Sequence, residues 1–172
     1  MPDSSDALRI LVYSNNVQTR QQVMRALGKR LHPDLPELTY VEIATAPMVI
    51  QRMDEGGIDL AILDGEATPA GGMGIAKQLK DELSTCPPIL VLTGRPDDSW
   101  LASWSRAEAA VSHPIDPIVL GRTALGLLRA PRSDRRVPQP NGPPGYRANP
   151  NSDQPRGPQR LRGHGSAGAR EG

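Results

Sequence analysis

Along residues 8–130, short aliphatic runs alternate with stretches whose apolar residues recur at helical spacing. Leu8–Tyr13 (LRILVY) is rich in strand formers. Val17–Leu31 places Val17, Val23, Leu27 and Leu31 near one helical face, with an imperfect gap between the first two. Leu38–Ala44 (LTYVEIA) alternates apolar and polar positions, as a strand does when one face is wet. Met48–Met53 predicts a short helix stopped by Gly56-Gly57. Ile58–Asp64 (IDLAILD) contains the continuous run Leu60–Leu63, the mark of a strand buried on both faces. A Gly-rich loop leads to a helical pattern over Met73–Leu83, and Ile89–Leu92 (ILVL) is a second doubly buried run. Asp97–Arg106 reads as a helix capped by Asp97 or Asp98, Ala109–Ser112 as a weak strand, and Asp116–Arg129 as a final amphipathic helix.

Five strands alternating with five helices predict a doubly wound parallel α/β sheet. LAIL and ILVL belong at its centre, and the alternating LTYVEIA and the weak AAVS at its edges. That distribution matches the flavodoxin-like strand order 2-1-3-4-5.

Composition changes the picture at the C-terminal end. Residues 131–172 hold 8 Pro, 7 Gly and 8 Arg against 3 acidic residues, with Val137, Tyr146 and Leu161 as their bulky apolar residues. Such a segment buries too little apolar surface to offset the entropy of ordering it. A folded domain over 8–130 and a disordered, basic Pro/Gly/Arg-rich tail over 131–172 are therefore expected. Charge divides at the same place, with net −4 over 1–130 and net +5 beyond. Arg156-Gly157 and Arg162-Gly163 predict only weak, salt-sensitive contact of the tail with nucleic acid or an acidic surface. The lone cysteine, Cys86, excludes an internal disulfide or a cysteine-based zinc site, and it reads as a small buried or half-buried thiol with nothing near it to lower its pKa. No apolar run approaches the ~20 residues that span a bilayer. The acidic N-terminus lacks a signal-peptide layout, so a cytoplasmic chain without membrane insertion is expected.

In open α/β sheets ligands sit beyond the carboxyl ends of the strands, where strand order reverses. Those ends carry Ser14 and Asn15, Asp64 and Glu66, Thr93, and His113. A carboxylate, a hydroxyl and an imidazole are thus expected to converge from three strands. GEATPAGGMG, after a strand and before a helix, lies where a phosphate-cradling loop would, but it fits neither GxxxxGK(S/T) nor GxGxxG and reads as a flexible turn. No nucleophile–base pair, metal cluster or cofactor loop marks an enzyme, and no catalytic residue is assigned.

In their order and spacing, LRILVYSNNVQTR, DLAILDGEATPAGGMGIAKQLK, PPILVLTG and AAVSHPID resemble the receiver (CheY-like) domain of bacterial response regulators over residues 8–130. The resemblance implies Asp64 as phosphoacceptor, taking its phosphoryl group from a kinase histidine, and Thr93 as the hydroxyl that contacts that group. It also exposes departures. The family's Mg2+-binding acidic pair is Ser14 and Asn15 here, its Lys is His113, and its switch aromatic is Ala110. Asp64 remains the main carboxylate for a cation, with Glu66 able to act as a second if its side chain turns inward. Mg2+ binding is therefore expected to be weak. His113, protonated beside Asp64 and Glu66, would supply an internal ion pair in place of the Lys contact. Trp100 and Trp104, four apart on the fourth helix, mark either a partner or homodimer surface on the helix 4–strand 5–helix 5 face or a stripe packed on the sheet.

The leading reading is a stand-alone, atypical receiver protein of two-component (phosphorelay) signalling. It acts through a protein partner, a sensor kinase or a downstream target, with Asp64 phosphorylated slowly or not at all. Two alternatives stay open: a phosphorylation-competent regulator whose metal site Glu66 completes, and a nucleic-acid-binding protein working through its Arg-rich tail.

Overall fold

The computed structural model describes residues 7–130. β1 (Leu8–Tyr13), β2 (Leu38–Ile43), β3 (Leu60–Asp64), β4 (Ile89–Thr93) and β5 (Ala109–Ser112) form a parallel sheet in the order β2-β1-β3-β4-β5. Every residue of β3 and β4 is buried, whereas edge strand β2 buries only Leu38 and Ile43. The connecting helices are α1 (Val17–Leu27), α2 (Ala46–Glu55), α3 (Gly72–Glu82), α4 (Ser99–Trp104) and α5 (Pro117–Arg129). The tail, with its Arg-Gly pairs, lies outside the described residues.

The two-residue period of a strand divides the core into two layers. Leu11, Tyr13, Ala61, Leu63, Ile89 and Val91 join Val49, Met53, Ile75 and Leu79 of α2 and α3. Ile10, Val12, Leu60, Ile62, Leu90 and Leu92 join Val23 and Leu27 of α1 and Leu120 and Ala124 of α5. With no Phe in the chain, aliphatic side chains fill both layers apart from Tyr13 in the first.

Helix ends depart from the pattern for local reasons. α1 stops at Leu27 because Gly28, at φ 68°, turns left-handed and returns its N–H to the Met24 carbonyl. Leu31 still packs against the α1–α5 layer from the following loop, so its apolar signal came from burial and not from helix. α2 starts earlier than expected, at Ala46, with Pro47 in its first turn, where a missing N–H costs nothing. α4 is reduced to six residues by a 3-10 turn over Pro96–Asp98 before it and a tight closure after it. In that closure Arg106 sits at φ 64°, and Arg106 and Ala107 donate back to Ser103 and Ala102.

Tyr40 of β2 donates its hydroxyl to the Gly28 carbonyl, tying β2 to the end of α1, and burial pushes this phenol up to about 12. The folded chain therefore holds the proton more tightly than the unfolded one. The resulting stability is complete below about pH 10 and is lost as pH rises through about 12. Tyr40→Phe is expected to lose about 1 kcal/mol at neutral pH. Its deficit relative to wild type should vanish across that alkaline window in urea melts.

At the amino ends of β4 and β5, Lys80 of α3 pairs with Glu108, their side chains only 10% and 8% exposed. Glu108 also accepts the Ile89 N–H at 2.6 Å, and Lys80 reaches the Pro87 carbonyl at 3.4 Å. Cys86 lies close by, half-buried, and burial pushes its thiol up, as the sequence reading expects.

Candidate functional site

Ser14 follows β1, Asp64 ends β3 and His113 follows β5. By strand parity all three continue the rows that face α1 and α5, so the sheet delivers them to one place. The Asp64 side chain is 4% exposed. Its Oδ2 accepts the Ser14 hydroxyl at 2.8 Å, and its Oδ1 accepts the Glu66 N–H at 3.0 Å. His113 Nε2 stands 3.5 Å from Asp64 Oδ1. That nitrogen is buried and has no hydrogen-bond partner.

The expected meeting of carboxylate and imidazole is thus present, but the hydroxyl bonded to the carboxylate is that of Ser14. Thr93 is buried and belongs to the opposite row, with Ile89 and Val91, and its hydroxyl donates to the Arg95 carbonyl at 3.1 Å. Ala110 is half-buried against the layer under α2 and α3. Trp100 is half-buried, while Trp104 is 55% exposed with Lys77 Nζ of α3 5.8 Å from its ring centroid. The two tryptophans therefore do not form one stripe packed on the sheet; Trp104 stands beside α3 at the surface.

The Gly-rich segment after β3 is held in place, contrary to the flexible turn expected. Asn15 donates its amide to Thr68 Oγ1 at 3.1 Å and accepts the Thr68 N–H at 3.3 Å. Tyr13, buried, donates its hydroxyl to the Ala70 carbonyl at 2.6 Å. Burial, with the Asp64 charge adding to it, pushes that phenol up and keeps it a donor. Gly65 donates to Leu92 O at 2.8 Å. The glycines serve close backbone approach: a Cβ on Gly65 would meet Leu92 O at 2.5 Å, and one on Gly72 would meet the backbone of Leu63 and Asp64 at 2.8 Å. The apolar pattern alone does not single out Tyr13; the available signal is a large aromatic ending a strand in a chain without Phe.

Glu66 is exposed, and its carboxylate rests where Gly94 leaves room; a Cβ on Gly94 would collide with it. Gly94→Ala is expected to displace this carboxylate at a stability cost under about 1 kcal/mol, because the obstacle is the end of a flexible side chain. Amide NMR shifts confined to residues 64–68 and 93–95 would check it.

Mg2+ seeks oxygen ligands with carboxylates among them. Here the Ser14 hydroxyl is given to Asp64 and the Asn15 amide to Thr68. Among the described residues, no group of three or more His, Cys, Asp or Glu is arranged to hold a metal ion. The residues present do not fit a strong Mg2+ site. Among the described residues, too, no helix is long and apolar enough to cross a membrane.

No protein-family model matches the chain. Two proteins from different strains of Mycobacterium tuberculosis, each called an uncharacterized response regulatory protein, are 86% identical to it over 131 residues, covering 76% of this chain and 98% of theirs. Among solved structures, the receiver domain of a Francisella response regulator superposes with TM-score 0.61 at 11% identity, over 71% of this chain and 97% of that one. The signal receiver domain of NarL from M. tuberculosis does so with TM-score 0.60 at 18% identity, over 73% and 99%. TrrA from Thermotoga maritima, solved in complex with Mg2+ and beryllofluoride, gives 0.57 at 21% identity, over 70% and 98%. The fold likeness to these domains and the close identity to the mycobacterial proteins agree: the chain belongs to the response regulators of two-component signalling, and its described residues form a receiver domain.

Proposed function

We propose that this receiver domain works through a protein partner, a kinase or a downstream target, from a pocket closed over Asp64, with phosphoryl transfer to Asp64 slow or absent. The observation that carries this reading is the state of the carboxylate. Asp64 is buried and accepts a hydrogen bond on each oxygen, with neutral Ser14 and Asn15 where the family has acidic residues. In-line attack on phosphorus needs a free carboxylate lone pair and a cation to neutralise charge gathering on the phosphoryl oxygens. One hydrogen bond on each oxygen fixes the Asp64 carboxylate and draws on its charge, and the cation has no strong seat. Thr93, spent on Arg95, and Ala110, too small to act as a switch ring, both support a pocket without phosphorylation-driven rearrangement.

We also place the working surface on the folded domain, residues 8–130. The mycobacterial relatives match over 98% of their own length and 76% of this chain, which supports a working surface that needs no more chain than the folded domain. Incubating the full chain with acetyl phosphate and Mg2+ tests the main reading. Little phosphorylated protein on a phosphate-affinity gel is expected, and Asp64→Asn should capture the same partners as wild type. Stoichiometric labelling within minutes that Asp64→Asn abolishes would overturn it. Labelling that also needs Glu66 would favour the competent regulator instead. Partner or nucleic-acid capture lost on deleting 131–172 would move the function to the tail.

A further inference from the structure

Between α2 and α3 the described surface opens into a groove of about 550 Å³, lined by Ala46, Pro47 and Ile50 on one side and by Ala70, Gly74 and Ile75 on the other. A Cβ on Gly74 would meet nothing within 4 Å, so this wall is bare backbone facing open space. One helical turn beyond Ile50 and Gln78, on the same helix faces, stand Asp54 and Glu82, both exposed. Among the described residues neither has an ion-pair partner, whereas the adjacent Glu55 pairs with Arg52, and Asp81 with Lys77 and Arg106. An aliphatic groove bordered by uncompensated carboxylates fits a segment that is apolar at its centre and cationic at its flanks.

We propose that this groove takes the segment Arg160-Leu161-Arg162 of the same chain, with Leu161 between α2 and α3 and the two guanidinium groups toward Asp54 and Glu82. Charge favours the pairing, with net −4 over residues 1–130 and net +5 over 131–172. Among Val137, Tyr146 and Leu161, the bulky apolar residues after Ala130, only Leu161 has an arginine on each side. Reach separates them further. α5 packs on the sheet face opposite to α2 and α3, so the chain leaving it must pass two helix layers, each about 10 Å across, and the sheet between them. The 7 residues from Ala130 to Val137 span at most about 25 Å, whereas the 31 to Leu161 can span about 100 Å.

Being tethered makes the encounter intramolecular, so a contact too weak to hold a free peptide is populated within one chain. The docked segment covers the α2–α3 face and lies against Ala70, whose carbonyl Tyr13 holds, beside the loop that follows Asp64. A partner that uses this face must first displace it. This assignment does not depend on whether Asp64 is ever phosphorylated.

The test uses the full chain with Cys86→Ser and Gly163→Cys, which puts a single nitroxide label beside the Arg160-Leu161-Arg162 segment. Because the tether sets an effective concentration of roughly millimolar, amide NMR signals of residues 46–50 and 70–78 are expected to weaken about twofold relative to the reduced label. Those of α1 and α5 should keep their intensity. Leu161→Ser should restore the weakened signals, and so should Gly74→Leu, which puts a side chain into the open space of the groove. Asp54→Lys with Glu82→Lys should also restore them, and adding Arg160→Glu with Arg162→Glu should bring the weakening back. Without any label, Leu161→Ser in the chain that keeps Cys86 should shift the same two sets of amides, which covers the case of a Cys86→Ser variant that unfolds. Equal weakening on both faces of the sheet, none at all, or weakening that survives Leu161→Ser would each overturn the assignment. So would weakening that appears only when labelled chains are mixed with isotope-enriched unlabelled ones, since the occupant would then be a second copy.

Discussion

Glu108→Ala is expected to cost about 3–5 kcal/mol of folding stability, the penalty for removing one member of a buried ion pair. The carboxylate serves two partners at once: the Lys80 ammonium and the N–H that opens β4. Without it, Lys80 keeps a buried charge left with a long contact to the Pro87 carbonyl and the neighbouring Cys86 thiol, and Ile89 loses its acceptor. Glu108→Gln separates these effects. It can still accept from Ile89 but leaves the ammonium uncompensated, so it should lose most, but not all, of what the alanine variant loses. Lys80→Met combined with Glu108→Gln should recover part of the loss, because the buried charge is gone while the backbone acceptor stays. Urea unfolding followed by circular dichroism would check the series. A Glu108→Ala variant within about 1 kcal/mol of wild type, the range of an exposed pair, would show that this pair is solvated in solution.

Ser14→Asp and Asn15→Asp together with His113→Lys are expected to make the stability of the domain depend on Mg2+, which wild-type stability should not. Two further carboxylates beside buried Asp64 repel it and raise the cost of ionisation when no cation is present. The apo variant should therefore melt below wild type. Mg2+ at a hundred times its dissociation constant would then return about 2.7 kcal/mol through binding to the folded state alone. Beryllofluoride should give a second, Asp64-dependent stabilisation in the variant. Thermal melts with and without Mg2+ read both effects. An equal Mg2+ response in wild type and variant would show that Asp64, Glu66 and water already hold the ion, and the closed-pocket reading would fail with it.

Much of the pocket is legible in the sequence. Asp64 and Thr93 stand at the ends of strands with continuous apolar runs and His113 at the end of a weaker one, and parallel topology sends all strand ends to one rim. What the side chains do on that rim was not legible. Ser14 was recognisable as a missing carboxylate but not as the hydroxyl that bonds Asp64. Thr93 stood in the position of a phosphoryl contact, yet its hydroxyl is committed to Arg95, two residues along the chain. The Gly-rich loop read as flexible because glycine suggests freedom, whereas here its glycines permit backbone approaches that hold the loop down.

The sequence by itself determined the layering of this protein. Period-two and helical apolar patterns are local properties, and burying them leaves few arrangements other than the observed sheet with helices on both faces. It also determined which charges the pocket lacks, since no tertiary contact turns Ser14 or Asn15 into a carboxylate. Only the tertiary structure decided how the remaining polar atoms pair. The tether from Tyr13 to Ala70, the pairing of Lys80 with Glu108 and the seat of Glu66 on Gly94 all join residues distant along the chain, and the His113 nitrogen is left without a hydrogen bond. Their partners are set by sub-ångström placement of strand and helix ends, and hydrogen bonding falls away steeply over such distances. Residue pattern carries the direction a side chain leaves the backbone; the folded backbone supplies what it meets.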